Sequence, residues 1–356
     1  MSKHVVMTVQ GPIEPGELGL TLSHEHLVID LSCYAKPSDD LEAARFFEQP
    51  VTLENLYFVR NNSYGNRDNC VIQDIDTPLK ELELFLENGG RSIVDMTLDG
   101  VGRNVGLLQE ISKRTNINII APCGYYVQSS HPDYLRELSA TQIAQKLLDE
   151  IKFGIGGTDI KPGIIGELGT SSTLHNDEIK VLRAAAMAQQ ETGLPISVHM
   201  HPPVRHAHRV LDILEETGAD ISRVLVCHQE CCLTHNDLDF DKAIDHQSGI
   251  LDRGCFIGID TCGTSAYYKT VDAAWWLPSD RERAKSIAAL CLRGYSKQIL
   301  LSQDAAHRHC LTSYGGNGYA HVLSKFKETL YEADVSEYDV DCFLLQNPAR
   351  FLTIKG

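Results

Sequence analysis

Eight short, β-branched, almost wholly apolar runs alternate with eight longer amphipathic stretches along the whole sequence. The runs cover 19–27, 91–97, 116–122, 162–168, 195–199, 223–228, 254–260 and 298–303. Segments such as IIGEL, VLVCH and ILLSQ lack the polar–apolar alternation of a half-exposed strand and read as parallel strands covered on both faces. The stretches between them, 77–88, 104–115, 141–153, 176–192, 207–217, 237–249, 278–293 and 319–332, carry apolar residues at helical spacing. The first ends at Gly89-Gly90, a helix stop signal. Strict strand–helix alternation repeated eight times predicts a (β/α)8 barrel. An open doubly wound sheet is the alternative, but no glycine-rich phosphate loop follows any strand.

The 356 residues exceed the roughly 250 of a plain barrel, and the surplus lies in 31–75, between the first strand and its helix. We expect one domain spanning 1–356, with 31–75 inserted over the C-terminal face of the barrel as a lid, an oligomer contact or a packed excursion. The net charge of −16 argues against nucleic acid or an anionic membrane surface as a partner. No apolar run reaches the length of a spanning helix, and the N-terminus shows no secretory apolar segment. The 11 cysteines are scattered, odd in number and without a disulfide spacing, which suggests reduced thiols and a cytoplasmic location. A structural zinc among Cys227, Cys231, Cys232, His228 and His235 is a competing idea, though no C-x-x-C pair supports it.

The chemistry is concentrated at strand ends. His24 and His26 flank Glu25, so a period of two sends both imidazoles to one side of the first strand and Glu25 to the other. Glu167 ends the fourth run, His199 the fifth and His228 the sixth, and Asp304 follows the eighth. A barrel gathers these ends on one rim. Imidazoles with carboxylates and no thiolate suit Zn2+ first, with Mn2+, Co2+, Ni2+ or Fe2+ as alternatives.

The segments GPIEPGELGLTLSHEHL, GIIGELGTS, GLPISVHMHP, ILLSQD, YGGNGYAHV and NPARFLTI resemble the phosphotriesterase family of the amidohydrolase superfamily, and most of all its phosphotriesterase-related branch. The resemblance implies two divalent ions per chain. His24, His26 and Asp304 would hold the more buried one and His199 and His228 the more exposed one. Glu167 stands where many relatives place a bridging carboxylated lysine, so it is the expected bridge. A metal-bridging hydroxide would attack a carboxyl derivative, with Asp304 carrying the proton to the leaving group. The resemblance covers lactonases, carboxylesterases, N-acyl amino-acid hydrolases and phosphotriesterases. A carboxylate ester or lactone is the first expectation, an N-acyl amide the second, and phosphotriester cleavage a side activity. A barrel that binds metal only as a scaffold is the non-enzyme alternative. A homodimer is expected by family analogy alone.

Around the rim, Tyr125, Tyr126 and Arg308 are candidate substrate contacts. Packing explains the tyrosines equally well, and ordinary solvated charge explains Arg308. Arg205, Lys269 and His307 could likewise hold an anionic substrate group or be unrelated to it. His201, followed by two prolines, reads as loop. Trp275-Trp276-Leu277 either walls an apolar pocket or docks a helix.

Overall fold

The computed structural model describes residues 4–270 and 273–355. Its eight barrel strands are β1 (Leu20–Glu25), β2 (Gly90–Asp95), β3 (Asn118–Ile120, continued by Pro122–Cys123), β4 (Ile164–Leu168), β5 (Ile196–Val198), β6 (Val224–Val226), β7 (Phe256–Ile259) and β8 (Ile299–Leu301). Each falls inside a run expected from the sequence, or overlaps it to within a residue. Neighbours pair in parallel from β1 to β3, and again from the Pro122–Cys123 continuation through to β8. The β8–β1 seam is closed largely by side chains. Ser23 Oγ donates to Leu301 O at 3.1 Å, the His24 amide donates to Ser302 Oγ at 3.1 Å, and the Asp304 amide reaches His24 O at 3.3 Å.

Strand periodicity sorts the core into two layers. Val94, Ile120, Ile164, Leu225, Phe256 and Leu300, one from each of six strands, point inward and form a single cluster. Val6, Leu18, Phe351 and Leu352 close it from below. Their strand neighbours Ile93, Ile119, Ile165, Val226, Ile257 and Leu301 point outward and pack under the helices. This inner plug is why the apolar runs show no alternation: both faces are covered.

The helices are α1 (Asp76–Glu87), α2 (Val105–Thr115), α3 (Ala140–Phe153), α4 (Asn176–Thr192), α5 (Ala207–Glu216), α6 (Phe240–Leu251), α7 (Asp280–Leu292) and α8 (Lys325–Glu332). Local chemistry sets their ends. Ser139 with Gln142 and Ser279 with Glu282 form reciprocal capping boxes, and Gly193 ends α4 with a left-handed φ of 68°. Two starts move most: α6 begins at Phe240 behind its Asp239 cap, not at 237, and α8 begins at Lys325, not at 319, where Tyr319 is buried with its hydroxyl on His26 O at 2.9 Å. The sequence also hid two pairings. His4–Thr8 pairs with Gly11–Ile13 and with Ile354–Lys355 beneath the barrel. Tyr267–Lys269 pairs with Ala274–Trp276 above it.

Segment 31–75 contains a short helix (Leu56–Asn61), and Val71–Ile72 pairs antiparallel with Ile29–Asp30. It is fastened to the loop after β8. Arg308 Nε donates to Asp68 O at 3.1 Å, and the His309 amide donates to Asn69 Oδ1 at 3.0 Å. Among the described residues, no helix is long and apolar enough to cross a membrane.

Candidate metal centre

Five strands deliver the candidate ligands, two of them through strained backbone. His228 and Asp304 adopt left-handed φ values of 60° and 48°, uncommon for residues with a Cβ and typical of functional positions. Glu167 follows Gly166, whose φ is 99° and where a Cβ would lie 2.1 Å from Ser197 O. Only glycine fits there, and its turn sends the Glu167 carboxylate into the barrel mouth.

The structure brings His24, His26, Glu167, His199, His228 and Asp304 together. Glu167 sits between two sets of imidazoles. Its Oε2 lies 3.5 Å from His24 Nε2 and 3.8 Å from His26 Nε2. Its Oε1 lies 2.8 Å from His199 Nδ1 and 3.1 Å from His228 Nε2. Asp304 Oδ1 is 3.2 Å from His26 Nε2. The donor atoms of His24, His26 and Glu167 lie within 4.8 Å of one another, as do those of Glu167, His199 and His228 and those of His24, His228 and Asp304. His24 Nε2 is buried with no hydrogen-bond partner while facing two carboxylates. A buried nitrogen lone pair aimed at such a cluster fits a cation held there.

Burial opposes charge on Glu167, His24, His199 and His228, and at all but His199 the neighbours outweigh it. Burial alone would raise the Glu167 carboxyl, but His24, His199 and His228 hold it well below the usual carboxylate range. Burial lowers His199, whereas the carboxylates beside them raise His24 and His228.

Two groups escaped the sequence reading. Asp260, at the end of β7, lies behind the cluster: its Oδ1 accepts from the His228 amide at 3.0 Å and meets His228 Nδ1 at 2.8 Å, while its Oδ2 meets His24 Nδ1 at 3.1 Å. Its place at a barrel strand end was the available signal. Glu25 does point away from its neighbours' side, but into structure. It accepts from Ser302 Oγ and the Gln303 amide at 2.7 Å and from the Ala305 amide at 3.0 Å. It thus splints the segment carrying Asp304, and burial pushes its carboxyl up to about 7.

A cavity of about 770 Å3, counted with its open mouth, rises above the cluster. Tyr126 lines it, with its hydroxyl 3.2 Å from His199 Nδ1. Tyr125 does not: alternation turns it outward, and its hydroxyl meets Tyr134 at 3.1 Å in a separate cleft. Arg308 is also outside the cavity lining, drawn to Asp68 Oδ1 at 3.2 Å and Asp74 Oδ2 at 3.6 Å. Of the three rim residues offered as substrate contacts, only Tyr126 lines the cavity. His201, Trp275 and Leu277 form part of the cavity wall. All 11 cysteines are free thiols; Cys232 Sγ donates to Ala243 O, while Cys227 Sγ lies within 4.8 Å of ligand atoms of His24 and Asp260.

A barrel with imidazoles and carboxylates gathered at the C-terminal ends of its strands defines a metal-dependent hydrolase. The profile of the Phosphotriesterase family matches residues 4–352, and the chain belongs to that family. It is 34% identical to an N-acetyltaurine hydrolase of Xenopus tropicalis, over 98% of each chain. It is also 34% identical to a phosphotriesterase-related protein of Nematostella vectensis, over 100% of each. The solved structure of a resiniferatoxin-binding protein from Rhodobacter sphaeroides superposes with a TM-score of 0.93 at 38% identity, covering 98% of this chain and 94% of that one. A phosphotriesterase homology protein from Escherichia coli, with phosphate in its active site, gives 0.76 at 30% identity, covering 94% and 99%.

Proposed function

We propose that this hydrolase carries two divalent cations per chain, Zn2+ first among candidates, and cleaves an uncharged carboxyl derivative, a carboxylate ester or lactone. The observation that carries the reading is Glu167, whose two oxygens face separate imidazole sets. On this reading His24, His26 and Asp304 would hold one cation and His199 and His228 the other, with Glu167 available to both. Such a pair, when bound, would supply Lewis acidity and a water activated near neutral pH. Asp304, at the cavity floor beside His26, accepts the water's proton and returns it to the leaving oxygen or nitrogen. Tyr126 orients His199, and the cavity walls position the substrate above the cluster.

An N-acyl amide is the second reading, favoured by the N-acetyltaurine hydrolases among the relatives. The same residues serve it, with the proton delivered to nitrogen.

The test is metal content by plasma emission for wild type and Glu167→Gln, followed by turnover of a lactone, a neutral ester and an N-acyl amide. The reading expects about two metals in wild type, a marked loss in the variant, and the highest kcat/KM on the ester or lactone. One metal or none in wild type, unchanged by the substitution, refutes the binuclear site.

A further inference from the structure

His24 and His228 share one backing carboxylate, Asp260, but His26 has a different support. Its Nδ1 lies 2.9 Å from the hydroxyl oxygen of Thr97, two residues beyond the end of β2. Thr97 is 0% exposed and His26 4%, so solvent cannot stand in for either partner. The backbone on both sides of His26 is stitched to the same segment. Before it, Glu25 O accepts from the Met96 amide at 2.8 Å. After it, the Leu27 amide donates to Asp95 Oδ2 at 2.8 Å, and Asp95 Oδ1 accepts from the Thr97 amide at 3.0 Å.

Counting hydrogens gives the contact a direction. A threonine hydroxyl has one proton and two lone pairs. Thr97 Oγ1 lies 2.6 Å from Val28 O, and a carbonyl can only accept, so the proton is committed there. Toward His26 the hydroxyl can then only accept. It draws the ring proton to Nδ1, and in the neutral imidazole Nε2 keeps its lone pair. That Nε2 faces Asp304 Oδ1 at 3.2 Å and Glu167 Oε2 at 3.8 Å. With no acceptor at Nδ1, the opposite arrangement is favoured. The proton sits on Nε2 and is donated to Asp304 in a charge-assisted bond, and the two candidate ligands occupy each other.

Resting on the hydrolase reading above, we propose that Thr97 is a positioning residue that acts through His26. It holds the ring proton on Nδ1 and leaves both Nε2 and Asp304 open to a cation. A hydroxyl does this without adding negative charge to a pocket that already buries Glu167, Asp260 and Asp304. It is the neutral counterpart of the support that Asp260 gives His24 and His228.

Three variants separate the hydroxyl from the rest of the side chain. Thr97→Val keeps the shape and removes the hydroxyl, Thr97→Ser keeps the hydroxyl and removes the methyl, and Thr97→Ala removes both. Each metal-free protein is titrated with Co2+ in chelator buffers, with bound metal read by plasma emission, coordination by visible absorption, and folding by circular dichroism. Thr97→Val and Thr97→Ala should need about 10–100-fold more free Co2+ to fill at least one site, with altered absorption bands at saturation. Thr97→Ser should stay within about threefold of wild type and reproduce its bands. The proposal is overturned if Thr97→Val binds as wild type does, or if Thr97→Ser is impaired as strongly as Thr97→Val. It is also overturned if the valine and alanine variants both fail to fold while serine folds, which assigns the hydroxyl to the Val28 carbonyl alone. Should wild type hold one ion, the two-ion reading fails by itself. Weakening of that ion in Thr97→Val with rescue by serine still supports the role of Thr97, and its retention overturns it. No ion in wild type sinks both.

Discussion

Asp260→Asn tests whether one carboxylate sets the tautomers of two candidate ligands. With protons on Nδ1 of both His24 and His228, the Asp260 oxygens accept from each ring and leave both Nε2 lone pairs facing the cluster. An asparagine oxygen can serve His228, but the amide then presents an N–H to His24 Nδ1. His24 must shift its proton to Nε2, the atom facing Glu167 and Asp304, and a protonated Nε2 cannot ligate. Flipping the amide transfers the conflict to His228. Losing such a supporting contact costs about 10–100-fold in metal affinity, or about 1.4–2.8 kcal/mol. The assay is Zn2+ binding across a chelator-buffered range, with bound metal read by plasma emission and folding checked by circular dichroism. At least one ion should shift its midpoint by about 10–100-fold while the spectrum is retained. Wild-type midpoints for both ions in a folded variant would refute the tautomer argument.

Three further outcomes are expected. Gly166→Ala forces a Cβ to 2.1 Å from Ser197 O at a φ of 99°; it should destabilise the fold by roughly 2–4 kcal/mol, and a chemical denaturation midpoint equal to wild type would show that the turn is not required. Asp280, accepting from His321, Arg283 and the Gly263 amide, is partly buried yet held down at about 2 by these partners. Its folded pKa lies below the unfolded value of 3.8, so about 2 kcal/mol of stability is present above pH 4 and lost as pH falls toward 2. The stability gap between wild type and Asp280→Asn, followed by urea melts, should close over that window; a gap independent of pH counts against it. Cys231→Ala should leave metal content unchanged, and loss of a metal equivalent would revive the cysteine site.

The barrel was legible because each run is both apolar and short, and because ligand-type residues stood at strand ends, where the topology alone makes them converge. What stayed hidden depends on partners distant in sequence. Asp260 reads as an ordinary polar residue after FIGI until β6 places His228 beside it and β1 places His24. Tyr125 and Tyr126 are indistinguishable by composition, and backbone alternation sends only the second to His199. Arg308 seemed free to bind an anion because its counterions, Asp68 and Asp74, lie some 230–240 positions earlier in the insertion. The hairpin beneath the barrel and its partner Ile354–Lys355 are too short, at two to five residues, to leave a periodic signal.

The seam between β8 and β1 gives the order of events during synthesis a chemical meaning. Glu25 accepts from the Ala305 amide across 280 residues, and the candidate ligands His24 and Asp304 flank that same crossing. A growing chain can shape seven strands before the candidate ligand Asp304, which follows the eighth strand, has been made. Joining such distant points closes a very long loop, whose entropic cost rises only slowly with length and which ion capture helps to offset. On the proposed ligand set, a chain cut short before Asp304 lacks one candidate ligand, so completion of β8 and completion of the metal site become a single event.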